Sequence, residues 1–171
     1  VPSWYSEMLP LSYDLGKEIG KFNGKVERQL EMGAGDDDIV EWILNNYYLD
    51  RKTAYSLFSY IKEQYKFLKY VPTDKKILIE KTLDDNYRQN IIFHTIFGRR
   101  VNDALARIFA EILSRKSRGN VAIVVDDHGF VLITSPGHVE ASDLIENVTE
   151  IELEEVLKKA VRKTELMKRR F

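Results

Sequence analysis

The sequence predicts an α+β protein, an N-terminal helical annex followed by a ββαββα sandwich with a mainly antiparallel four-stranded sheet. Two observations predict it. Apolar residues recur at helical spacing as far as Pro72, and beyond it they fall into short β-branched and aromatic runs separated by polar turn residues. A single later helical stretch, 98–116, then divides four strand-like runs into two hairpins. The expected division is 1–72, an irregular Trp-containing opening segment with a three-helix annex, and 73–171, a sandwich ending in a basic helix.

Residues 1–10 contain two prolines and the pair Trp4-Tyr5 and follow no period. A first helix is predicted after Ser12, which can cap it, with Leu15, Ile19 and Phe22 on one side until Asn23-Gly24 loosens it. Gly33-Ala34-Gly35 reads as a loop. Asp36 to Asp38 make an acidic helix start that suits the macrodipole, and Ile39, Ile43, Leu44 and Tyr47 follow at helical spacing. A third helix, from about Asp50 to Tyr70, carries Ala54, Leu57, Phe58, Ile61, Tyr65 and Leu68 on its buried stripe and is ended by Pro72. Its outward face mixes Lys52, Tyr60, Lys62, Lys66, Phe67 and Lys69, a pattern that suits either single-stranded nucleic acid or packing against a neighbouring domain.

The first hairpin is predicted from Lys76–Leu83 and Asn90–Thr95 around the turn residues Asp84-Asp85-Asn86. The helix over Gly98–Lys116 points Val101, Leu105, Ile108 and Ile112 inward, with Gly119 as its C-terminal cap. Val121–Val125 is apolar on both faces, as a central strand would be, and Asp126-Asp127-His128-Gly129 turns it into Phe130–Thr134. A short helix near Ala141–Ile145 and a long or broken one over Ile151–Arg170 complete the chain.

Composition excludes several function classes. With no cysteine among 171 residues there are no disulfides, thiol nucleophiles or thiolate metal sites. No apolar run approaches the roughly 20 residues needed to cross a bilayer, and no signal-like stretch opens the chain, so a cytoplasmic location without membrane contact is expected. The absence of an initiator Met and the uncapped end at Lys168-Arg169-Arg170-Phe171 lead to the expectation of a piece of a larger polypeptide. The formal net charge of −1 hides strong segregation. Residues 87–118 hold seven basic residues against Asp103 and Glu111, 139–156 hold seven acids and no base, and the end of the chain turns basic again. Such a pattern is either a set of solvated helix faces or a basic surface for nucleic acid.

No catalytic constellation is present: there is no GxxxxGK[ST] loop, no GxGxxG after a strand, no HExxH and no GxSxG. These residues are therefore expected to form no enzyme and to hold no cofactor or metal. His94, His128 and His138 are far apart, Asp126-Asp127-His128 reads as turn chemistry, and Asp36-Asp37-Asp38 reads as a helix start. One stretch breaks a local rule. Arg99 and Arg100 sit in the first turn of a helix, where the macrodipole disfavours cations by some tenths of a kcal/mol. Either carboxylates elsewhere in the fold compensate them, or they join the free N–H groups of that helix start in an anion site suited to phosphate. Trp4, in its irregular segment, is either a packing residue or an exposed ring.

Three stretches resemble the DEAD/H-associated domain that follows the motor in Lhr-type (large helicase-related) helicases of superfamily 2, in an archaeal-type form. They are Trp4 with Glu7–Leu15 and Glu18–Phe22, then Pro72–Lys75 with Ile77–Glu80 and Asn90–Asp103, and finally Thr164–Phe171. The likeness runs the length of the chain in the same order; Tyr5-Ser6 stands where the family commonly has Gly after the Trp. The resemblance implies an accessory C-terminal module of an ATP-dependent DNA helicase that binds single-stranded DNA or RNA and braces RecA-like and winged-helix domains of the same polypeptide. The alternative is a purely structural interdomain brace. ATP and Mg would belong to the parent motor, and DNA repair is the expected setting. By the same resemblance Trp4 would lie against a base. Arg99, Arg100 and Asn102 carry over as motif residues, and with Lys168, Arg169 and Arg170 they complete the expected nucleic-acid-binding set.

Overall fold

In the computed structural model, residues 9–117, 119–135, 144, 145 and 158 are described. Their elements are α1 (Tyr13–Glu31), α2 (Asp36–Asn46), α3 (Arg51–Leu68), β1 (Leu78–Leu83), β2 (Gln89–His94), α4 (Arg99–Ser117), β3 (Ala122–Asp126) and β4 (Gly129–Thr134). The architecture is α+β, with the strands in one sheet of order β1-β2-β4-β3. Among the described residues two compact units emerge, one over Asp14–Leu78 and the other combining residues 9–13 with those from Ile79 onward. The two expected C-terminal helices lie outside the described residues, apart from single positions.

The helical unit closes on Val26, Ile39, Val40, Ile43, Ala54, Phe58 and Ile61, all buried. Phe22, Trp42 and Tyr47 pack as a ring cluster at its margin, with Phe22 and Tyr47 edge-to-face at 5.1 Å. Contrary to expectation, α1 continues through Asn23-Gly24. Gly20, one turn earlier, serves close approach: a Cβ there would lie 2.4 Å from the Asp74 nitrogen, whereas one on Gly24 would make only ordinary contact with the Thr73 methyl at 3.5 Å. Beside them the buried Glu27 accepts hydrogen bonds from Val71 N (3.0 Å) and Lys76 Nζ (2.7 Å), tying α1 to the 71–76 stretch. That carboxylate is the first cause holding the Lys76 ammonium above its ordinary pKa. Asp50 caps α3 by accepting from both the backbone N–H and the hydroxyl of Thr53. Lys69, in a left-handed conformation, ends α3 before Pro72 can. Leu15, Leu57 and Leu68, expected inward, are exposed.

In the sheet unit, β2 and β4 pair antiparallel with Phe93 opposite Phe130, and β4 pairs antiparallel with β3. Alternation puts Ile91, Phe93, Phe130 and Leu132 on the buried face. There Phe93 stacks on Phe130 at 4.5 Å and on Phe109 of α4 at 5.2 Å. The inward stripe of α4 is one residue away from the predicted one: Asn102, Ala106, Phe109 and Leu113 are buried, and of the predicted set only Ile108 is. The shift arises because a polar residue, Asn102, occupies an inward position. A second correction concerns β3. It lies at the edge of the sheet among the described residues, with β4 in the interior, and Val124 on its outer face is 56% exposed.

The turns are built as their composition predicts. Asp84 Oδ1 accepts from the backbone N–H groups of Asn86 and Arg88, and its other oxygen accepts from Arg88 Nε. Asp126 accepts from His128 N at 2.7 Å in the second turn. His94 faces Glu80 at 3.1 Å across the first hairpin, and His138 lies outside the described residues.

Candidate nucleic-acid interface

The site starts from the loop between β2 and α4, residues 95–98, and from how it is pinned. Thr95 N donates to His128 O, and Thr95 Oγ1 donates to Asn102 Oδ1 at 2.6 Å. The Asn102 amide nitrogen in turn donates to Asp126 O (3.1 Å) and Asp127 O (3.2 Å). Both Thr95 and Asn102 are buried, Asn102 completely. One side chain thus joins the start of α4, the loop before it and the β3–β4 turn. Gly98 completes the junction with φ 79°, and a Cβ there would lie 2.2 Å from Leu11 O. Only glycine allows residues 11 and 12 to run this close, and Tyr13 and Phe97 pack beside them with ring centroids 6.3 Å apart.

With its start fixed, α4 presents Arg99, Arg100, Asp103 and Arg107 toward a cleft of ≈ 650 Å³ that Pro10, Val121, Ile123 and Val125 also line. Asp103 accepts two hydrogen bonds from Arg107, 2.8 and 3.0 Å long, a bidentate pair that sets both side chains. This pairing is the first cause of the raised Arg107 pKa, against desolvation that acts the other way. Arg99 and Arg100 are exposed, and among the described residues neither pairs with a carboxylate. Of the two compensations open to them, an internal carboxylate is therefore not the one the described residues supply. Two guanidinium groups with no carboxylate partner among the described residues, placed at a helix start, make an anion-attracting corner.

Among the expected site residues, Arg99 and Arg100 are brought together at the mouth of the cleft. Asn102 is placed otherwise. It has no exposed surface and all three of its side-chain hydrogen bonds run inward, so it offers nothing to a strand in solvent; it positions the arginines through the start of α4. Trp4, Lys168, Arg169 and Arg170 lie outside the described residues. Sequence reasoning missed Arg107 and Asp103 as cleft residues, although their i,i+4 spacing on the same helix was a usable signal. It also missed the apolar wall from β3, because that strand was expected at the centre of the sheet. Among the described residues no group of three or more His, Asp or Glu side chains is arranged to hold a metal ion. No described helix is long and apolar enough to cross a membrane.

Comparison with known proteins agrees with the sequence resemblance. Residues 71–171 match the family described as DEAD/H associated. The ATP-dependent helicase Lhr-Core of Sulfolobus acidocaldarius is 41% identical over 174 residues, covering 100% of this chain and 20% of the relative. The proteins of the same name from Saccharolobus solfataricus and Methanothermobacter thermautotrophicus are 39% and 37% identical with the same coverage. The chain thus spans about a fifth of the length of these relatives. A solved structure of the Mycobacterium smegmatis helicase Lhr, bound to ssDNA and AMP-PNP, shares the fold with a TM-score of 0.76 at 18% identity, covering 95% of this chain and 20% of that one. Matched by the family over more than half of its length, the chain belongs to the DEAD/H associated family.

Proposed function

We propose that this chain is the accessory C-terminal module of an ATP-dependent DNA helicase, binding single-stranded nucleic acid at the α4 cleft and bracing the motor domains, without motor activity of its own. The observation that carries the reading is the Arg99-Arg100 pair lining the cleft, which meets no carboxylate among the described residues, beside an Asp103 already engaged by Arg107. A backbone phosphate is the ligand that two guanidinium groups at a helix start would hold best. The Lhr-Core helicases among the archaeal relatives and the ssDNA bound in the mycobacterial Lhr structure support the same class of partner. ATP and Mg are assigned to other parts of the polypeptide. The strand-to-helix junction at 95–98 supports that assignment, since its one glycine is pressed against Leu11 O and Thr95 is bonded to Asn102. The apolar wall of Pro10, Val121, Ile123 and Val125 favours a second reading, in which the cleft receives another domain of the same polypeptide.

Titrating labelled single-stranded DNA at several salt concentrations separates the two. With about three to five phosphates neutralised, log affinity is expected to fall with log salt at a slope of roughly −2 to −4. Replacing Arg99 and Arg100 together by Ala should reduce the steepness by about 1.4, at 0.7 per lost phosphate contact. Because both side chains are exposed and pair with no carboxylate among the described residues, the melting temperature should stay where it was. A flat salt response would leave the interdomain brace as the function of the cleft.

Trp4 keeps its proposed place against a base, in the segment that leads to Pro10 and the cleft. Stacking on an indole contributes about 1 to 3 kcal/mol per base and tolerates any sequence, as contact with a moving strand requires. In the full-length polypeptide, Trp4→Ala should weaken strand separation more than it weakens DNA-stimulated ATP hydrolysis. If melting drops sharply and both activities fall together, Trp4 is a packing residue and the base contact is wrong.

A further inference from the structure

The outward face of α3, in the helical unit, carries side chains that the α4 cleft does not use. Tyr55, Tyr60 and Phe67 are 55%, 76% and 85% exposed. At 100° per residue Tyr60 and Phe67 fall on the side opposite the buried Ala54, Phe58 and Ile61, and Lys52 and Lys66 share that side, whereas Tyr55 lies at the flank of the buried stripe. The cations of the helix are sorted. Arg51 pairs with Glu41 and Lys62 with Asp36, whereas Lys52 and Lys66 pair with no carboxylate among the described residues. Glu63 is the single acid on this face, so its charge is positive.

We propose that the α3 face is a second surface for single-stranded nucleic acid, with bases stacked on Tyr60 and Phe67 and phosphates held by Lys52 and Lys66. Two exposed rings on one helix face call for a partner with flat apolar surface. A protein partner would favour a continuous apolar centre depleted of lysine. Here the rings stand apart, about 10.5 Å along the axis at 1.5 Å per residue, with Glu63 and Lys66 between them. Separate rings interleaved with free ammonium groups match a strand whose bases and phosphates alternate. A lysine suits the phosphates of such a strand because a mobile point charge needs no fixed angle of approach.

The test uses the whole chain and an oligothymidylate bearing a photoreactive 5-iodouracil. Tyr60→Ala with Phe67→Ala should weaken binding by at least about tenfold, one stacked base being the minimum lost. Lys52→Gln with Lys66→Gln should reduce the salt slope by about 1.4. All four side chains are exposed, so melting temperatures should match the unaltered chain, and the lysine pair decides the matter if the aromatic pair does not fold. Photo-adducts should map to the α3 peptide, and they should persist when Arg99 and Arg100 are replaced, which separates this surface from the α4 cleft. Unchanged affinity in both α3 variants, adducts confined to α4, or no binding by the chain at all would overturn the proposal. So would concentration-dependent self-association that the Tyr60/Phe67 variant abolishes without change in DNA affinity, since the face would then take protein.

Discussion

Asn102→Ala is expected to lower the unfolding free energy by about 3 kcal/mol and to weaken DNA binding even where the variant is still folded. The side chain is completely buried and satisfies three partners, Thr95 Oγ1, Asp126 O and Asp127 O. Each buried polar group left unpaired costs about 1 to 3 kcal/mol; the Thr95 hydroxyl can rotate and the carbonyls have second lone pairs, so the sum stays near the low end. The consequence for binding comes from position. Without the amide, the first turn of α4 is no longer tied to the β3–β4 turn, and Arg99 and Arg100 lose the anchor three and two residues behind them. Asn102→Asp sharpens the test because it keeps the shape and removes the donors. An ionised carboxylate there would face two carbonyl oxygens, so the folded state favours the protonated acid and its pKa lies above the unfolded value of about 3.9. For such a group the deficit is small below pH 4 and grows by about 1.4 kcal/mol per pH unit above it until the folded pKa is reached. Denaturant titrations of both variants at pH 4 and pH 7 measure this directly. Stabilities within about 0.5 kcal/mol of the unaltered chain at pH 7 would remove Asn102 from the framework of the site.

Asn102 also shows where sequence reading ran out. The order of elements and both hairpins were legible because Asp84 and Asp126 sit where turns need an acceptor for the backbone N–H groups beyond them, and both make those bonds. Periodicity treats a polar residue as outward-facing, so a fully buried Asn turned the predicted stripe of α4 by one residue. The break expected at Asn23-Gly24 failed for another reason. A glycine in a helix costs only about 1 kcal/mol, and the buried Phe22 and Val26 on either side carry the helix through it. The edge position of β3 was hidden because its outer face is apolar at Val124, and the apolar pattern of an edge strand can equal that of a central one. Of the site, the Arg99-Arg100 pair could be found because it violates the dipole preference. The cleft beside it could not, since Pro10 and Ile123 are more than a hundred residues apart in the chain.

Gly98→Ala is expected to be at least as damaging, through both the backbone and the cleft. At φ 79° an L side chain is disfavoured by about 1 to 2 kcal/mol before any contact is counted. The added Cβ would also stand 2.2 Å from Leu11 O and 3.0 Å from its carbonyl carbon. Those are backbone atoms, so relief requires moving the chain and not merely turning a rotamer; together the two effects should reach about 3 to 4 kcal/mol. The part that moves is the segment before α1. It carries Pro10 into the cleft wall and, six residues earlier in sequence, holds Trp4. A Gly98 variant should therefore lose stability and, at temperatures where it is still folded, lose affinity for single-stranded DNA by a route that leaves Arg99 and Arg100 in place. Substituting D-alanine by chemical synthesis removes both effects at once: the positive φ becomes favourable and the added methyl points away from the L-Cβ position next to Leu11 O. Stability close to that of the unaltered chain with D-alanine is therefore expected, and a loss with L-alanine beyond the ~2 kcal/mol that the backbone conformation accounts for measures the contact with Leu11. Equal stability for glycine and L-alanine would mean that residues 11 and 12 do not run along Gly98 in solution, and the cleft would lose its Pro10 wall.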